Sequence, residues 1–174
     1  MNSLLRLAAA LFAAVALQAG AQKNVDWETL QPEDGSFTAL MPGHPEYQKA
    51  IRDSLMAGEY TLHVYTCRIE GVVYRLGYNA YPPGPAIDPE TELQANRDNF
   101  IEGISGRLIR SIAIRLQGVP GIDFTAENER LRIRSRVYFL DQRAIQLIVA
   151  VPKGREEPAN INRFLESLRF SNRD

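Results

Sequence analysis

The sequence predicts an α+β fold, a central antiparallel β-sheet of about six to seven strands flanked by two main helices. Three observations carry this. Runs of alternating apolar and polar residues recur along the chain. Short turns join them, and only antiparallel neighbours can be joined so tightly. Two segments with helical spacing complete the pattern, too few to supply a crossover for every strand pair of a doubly wound sheet.

The elements follow in order. Phe37 to Met41 reads as a short strand between the turn cluster Glu33-Asp34-Gly35-Ser36 and Pro42-Gly43. Tyr47 to Asp53 is polar enough for an edge strand. Tyr60, Leu62 and Val64 alternate with Thr61 and His63, after which the apolar positions pass to Cys67 and Ile69. Such a change of face means a bulge or burial on both sides. Val72, Tyr74, Leu76, Tyr78 and Ala80 alternate beyond the turn Glu70-Gly71, which makes a hairpin.

Asp88-Pro89-Glu90 opens a helix, with Asp as N-cap, Pro at the first position and acids in the first turn. Leu93, Phe100, Ile101 and Ile104 form its apolar stripe, and Gly103 and Gly106 close it. Leu108, Ile112, Ile114 and Leu116 then share a strand parity, followed by a turn over Gln117 to Gly121 and a short strand from Ile122 to Ala126. Leu131, Ile133, Val137 and Phe139 alternate with Arg130, Arg132, Arg134 and Arg136. After Asp141-Gln142, the nearly continuous apolar run Ala144 to Val151 reads as a central strand. A last helix starts near Pro158, with Ile161, Phe164, Leu165 and Leu168 on one stripe, and Phe170 adds a short strand.

Residues 1–21 stand apart from this fold. Arg6, an unbroken apolar run from Leu7 to Leu17 and the small residues Ala19-Gly20-Ala21 predict a signal peptide cleaved after Ala21. The run rises only ~16 Å as a helix against a ~30 Å hydrocarbon core, which argues against an anchor. Removing it takes the chain from 174 to 153 residues and the net charge from −1 to −2. Residues 22–174 then form one α+β domain in the periplasm or outside the cell, with no transmembrane segment. Near-neutral charge argues against a nucleic-acid binder, because phosphate neutralisation needs a surplus of Lys and Arg.

Chemistry-bearing motifs are sparse. His63 and Cys67 share a strand face, but zinc takes three or four ligands and no HxxxH, CxxC or HExxH spacing exists. Gly103-Ile104-Ser105-Gly106 departs from the nucleophile elbow G-x-S-x-G in spacing and follows a helix instead of a strand. The sequence therefore assigns no catalytic residue, metal or cofactor. Its most distinctive feature is the ladder Arg130, Arg132, Arg134, Arg136, whose Cα atoms in a strand fall about 6.5–7 Å apart on one face. Such a row suits an anionic ligand or an acidic envelope protein; the bland alternative is a face neutralised by Glu127, Glu129 or carboxylates of adjacent strands. The aromatic and proline surface of Tyr78, Tyr81 and Pro82 to Pro85 is a second candidate.

Several segments match in kind a known group. They are Phe37-Thr-Ala-Leu-Met-Pro-Gly-His-Pro45, the hairpin Tyr60 to Tyr81, and Leu116-Gln-Gly-Val-Pro-Gly-Ile-Asp-Phe124. Arg136 to Leu140, Arg143 to Pro152 and Arg163 to Leu168 complete the set. Together they resemble secreted bacterial members of the PsbP-like fold superfamily, relatives of the extrinsic P subunit of photosystem II and of the Ran-binding Mog protein. The resemblance implies a central antiparallel sheet with flanking helices and a non-catalytic binding or stabilising role; it brings no active site with it. The expectation is a secreted or periplasmic, single-domain, non-catalytic binding protein. The alternatives are an envelope enzyme with an unrecognised site and an accessory subunit of an envelope complex.

Overall fold

The computed structural model describes residues 25–54, 58–80, 87–155 and 159–171. Ten strands and two helices follow one another there. They are β1 (Trp27–Leu30), β2 (Phe37–Pro42), β3 (Glu46–Ser54), β4 (Gly58–Ile69), β5 (Val72–Ala80), α1 (Pro89–Gly103) and β6 (Arg107–Leu116). Then come β7 (Val119–Glu127), β8 (Leu131–Leu140), β9 (Arg143–Pro152), α2 (Ile161–Leu165) and β10 (Arg169–Phe170). The seven-stranded sheet has the order β3-β4-β5-β9-β8-β7-β6, and a small second sheet has the order β1-β2-β10. All pairings are antiparallel.

Tight turns enforce this order. Glu70-Gly71, Gln117-Gly118 and Asp141-Gln142 all have positive φ at both positions. That is the twist which two-residue hairpins require. The turn after β6 is therefore two residues long, shorter than the Gln117 to Gly121 expected, and Pro120 and Gly121 belong to β7. Gly121 is needed there because a Cβ would stand 2.6 Å from both the Val137 carbonyl and the Tyr138 ring. Strand β4 keeps a continuous register, so its change of face reflects burial of both Thr66 and Cys67. The register shift occurs instead in β6, between Leu108 and Arg110.

Each face of the large sheet is apolar and is covered differently. On one, α1 sets Leu93, Phe100 and Ile104 against Ile122, Phe124, Ala126, Ile133 and Val137. Asp88 caps the helix by accepting from the Thr91 amide at 2.8 Å, as its sequence predicts. On the other face, Phe37, Ala39 and Met41 of β2, together with Phe164, Leu165 and Phe170, pack on Tyr74, Leu76, Ile145, Leu147 and Val149. Full burial of side chains this large contributes about 1.5–3 kcal/mol each.

Several expectations change. β9 is the middle strand and β3 an edge, as read from sequence. β2, however, joins the small sheet, whose β1 the sequence reading missed. The final helix is a five-residue piece, with Leu168 buried beyond its end; its expected start near Pro158 lies outside the described residues. β6 is the other edge; Leu108 and Ile112, read from sequence as sharing a parity, fall on opposite faces across the bulge, and both are exposed. Cys67 is buried, and its thiol donates to the Gly43 carbonyl. No helix among the described residues is long and apolar enough to cross a membrane. Residues 1–21 with the Ala21 cleavage point, and the loop Tyr81 to Pro85, also lie outside the described residues.

Candidate functional site: a basic end of the large sheet

Cross-strand register brings acids and bases together on the face that carries α2. Asp123 of β7 lies opposite Arg136, Thr125 opposite Arg134 and Glu127 opposite Arg132. Neighbours so placed are close enough for ion pairing. Arg136 is the inner end of the row. Its Nε donates to Asp123 at 2.8 Å, its Nη1 to the Leu165 carbonyl at 3.3 Å, and Glu166 lies 3.5 Å from Nη2. Arg134 donates to Asn162 of α2 at 3.0 Å. These two arginines tie α2 to the sheet.

The outer end differs. Arg130 precedes β8, so three of the four arginines belong to the strand proper. Its backbone N–H, with that of Leu131, donates to the Asn128 side chain, which fixes the β7–β8 turn. Asn128 in turn donates to the Ile104 carbonyl at the end of α1. Gly106 follows because a Cβ would come within 2.9 Å of the Glu127 carbonyl. The backbone of the cluster is thereby held on both sides.

Three cations converge on the side chain of Glu127, only 9% exposed. Arg107 of β6 donates to it directly, Lys153 Nζ lies 3.4 Å away, and Arg132 Nη2 lies 3.9 Å away. Burial by itself would raise the Glu127 pKa, but the hydrogen bonds from Lys153 and Arg107 outweigh that and lower it. One carboxylate thus anchors three cations whose side chains stay 73%, 40% and 55% exposed. Arg130 is exposed, and its backbone lies beside them, its carbonyl accepting from the Lys153 amide at 2.8 Å. A cleft of about 400 Å³ opens here between Glu127, Arg132, Lys153, Gly154 and Arg155. Arg155 is turned toward Glu70 at 3.2 Å. The end of the sheet therefore carries a surplus of positive charge, and such a surplus attracts anions.

Of the ladder singled out in the sequence, Arg130 and Arg132 lie at this cluster; Arg107 and Lys153, which the sequence did not single out, join it only through strand pairing. The inner pair, Arg134 and Arg136, is engaged within the fold. The carboxyls displaced from their usual range, Asp34, Asp88 and Glu127, all move downward, held by ion pairs or hydrogen bonds.

Other chemistry-bearing groups are distributed elsewhere. His63 stacks on Tyr78 at 4.5 Å and shares a 2.9 Å hydrogen bond with Tyr47. Burial lowers its pKa. His44 pairs with Glu28 at 3.0 Å. Among the described residues no group of three His, Cys, Asp or Glu is placed to hold a metal ion. Arg75 of β5 is only 7% exposed and has no hydrogen-bond or ion-pair partner among the described residues. Burial, with repulsion from Arg68, pulls its pKa down to about 10.

No family model and no curated protein matches the sequence. Solved structures do. The chain is similar to cyanobacterial PsbP (CyanoP) from Synechocystis sp. PCC 6803, with a TM-score of 0.57 and 10% identity over 88% of this chain and 97% of that one. It is also aligned with PA94, a Pseudomonas aeruginosa protein of unknown function, at a TM-score of 0.35 and 12% identity over 73% and 83% of the two chains. The second alignment is too loose in geometry to carry an argument. At 10% identity the first is a likeness of fold alone, and the fold of this chain is PsbP-like.

Proposed function

We propose that this chain is a secreted or periplasmic, single-domain, non-catalytic binding protein that meets an acidic envelope partner with the basic end of its large sheet. The observation that carries the reading is the gathering of Arg107, Arg132 and Lys153 on Glu127, with Arg130 beside them. Anchored cations that keep their exposure lose little conformational freedom when a partner's carboxylates arrive. They also steer association over a Debye length of about 8–10 Å. The inner arginines serve the fold, so the contact surface is the outer half of the ladder extended by Arg107 and Lys153.

Affinity capture from a periplasmic extract tests this. The wild-type chain retains a partner that salt elutes, and Arg130→Ser/Arg132→Ser loses it while melting at the wild-type temperature. Equal recovery by the two would overturn the assignment.

A further inference from the structure

Among the described residues β6 is an edge of the large sheet, paired with β7 on one side only. It spans ten residues without proline. Leu108, Ile109 and Ile112 are 41%, 47% and 40% exposed on it. It carries Arg107, Arg110 and Arg115, all exposed, and no acid. Sheet edges that avoid partners are short, interrupted by proline or charged with apolar groups kept inside. β6 has charge and a bulge, yet it presents branched apolar side chains beside a long run of main-chain donors and acceptors. The opposite edge, β3, mixes Glu46, Lys49 and Arg52 and shows no such bias of sign.

We propose that β6 is a docking edge for an extended, acidic segment of another protein, which adds a strand to the seven-stranded sheet. Main-chain hydrogen bonds supply sequence-independent affinity in this mode, and alternate side chains supply choice. Charge selects the occupant. A second copy is disfavoured, because it would set one edge bearing Arg107, Arg110 and Arg115 against another of the same sign, with no acid on either to relieve them. A segment with Asp or Glu beside Arg107 and Arg110, on the face that carries α2, and β-branched residues on the other face beside Leu108 satisfies both kinds of side chain. Its acids would run on to Arg132 and Lys153, since Arg107 belongs to the edge and to the Glu127 cluster. The inference thus rests on the binding reading and names the form of the partner.

The test uses fluorescence polarisation with a labelled ten-residue peptide alternating Glu and Val, against one alternating Lys and Val. The acidic peptide binds and the basic one does not. Methylating alternate amides of the acidic peptide, which removes donors and keeps charge, weakens binding by about ten-fold or more. Arg110→Glu/Arg115→Glu weakens it similarly. No binding of the acidic peptide, or equal binding of its methylated form, overturns the added strand. The binding reading has its own arm: if Arg130→Ser/Arg132→Ser still abolishes capture from extract, that reading survives the loss of this one.

Discussion

Arg75 offers the sharpest energetic prediction. It lies between Thr66 of β4 and Ile148 of β9, and among the described residues no neighbour supplies a counter-charge. Burial pulls its pKa well below that of a free guanidinium, to about 10, so below that pH the folded state carries a cation it would rather not hold. At 1.36 kcal/mol per pKa unit the shift corresponds to about 3 kcal/mol of penalty. Arg75→Met keeps a long unbranched side chain and removes the charge, and should stabilise the protein by about 2–3 kcal/mol. The sign in pH follows from the depressed pKa of a base. The penalty is fully present below the folded pKa and fades as pH rises above about 10 toward the ordinary guanidinium range. Urea denaturation of both chains near neutral pH measures the gain, and repetition at about pH 11 should show it shrinking. A variant less stable than wild type, or a gap that ignores pH, would refute the reasoning.

Three further predictions concern the fold. Gly121→Ala forces a Cβ into the Val137 carbonyl and the Tyr138 ring and should cost about 2–3 kcal/mol in chemical denaturation; a loss within error would contradict the close approach. At Asp34 burial acts to raise the pKa, but the Arg143 guanidinium and Ser36 outweigh it and hold it at about 2. The lowered carboxyl gives stability that is present above its ordinary pKa and lost as pH falls from about 4 to about 2, discounted for its exposure to under ~1 kcal/mol. Asp34→Asn should remove that step from an acid titration followed by circular dichroism. Burial pushes the Cys67 thiol up to about 11, so iodoacetamide should modify it quickly only after unfolding, and rapid labelling of the folded chain would count against its placement.

Local chemistry made much of the fold legible. Asp88-Pro89 marked the start of α1 because a cap and a preset φ act within one turn. The two-sided apolar run of β9 marked the sheet centre because only a strand covered on both faces can afford it. What failed depends on partners distant in sequence. Leu108 and Ile112 have the alternation of a half-buried strand, but exposure follows from the place of β6 in the strand order, which no local pattern encodes. β1 is four residues long and exists only through β2, with Trp27 under the Arg163 guanidinium at 4.5 Å.

The site shows the same division. Strand periodicity put Arg132, Arg134 and Arg136 on one face. Their different fates are decided by Asp123, Asn162 and Glu166, which reach them from β7, from α2 and from the turn after it. Arg107 and Lys153 looked unrelated until the sheet brought both to Glu127.

The central claim is that the outer cations bind and the inner ones hold the fold. The most direct measurement is partner recovery from extract by Arg130→Ser/Arg132→Ser, set beside the thermal stability of that chain and of Arg136→Ser. The account predicts lost recovery with unchanged stability for the outer pair. For Arg136→Ser it predicts a marked loss of stability, because Asp123 would be left without its cation. Full recovery by the outer variant, or an Arg136→Ser chain as stable as wild type, would contradict it.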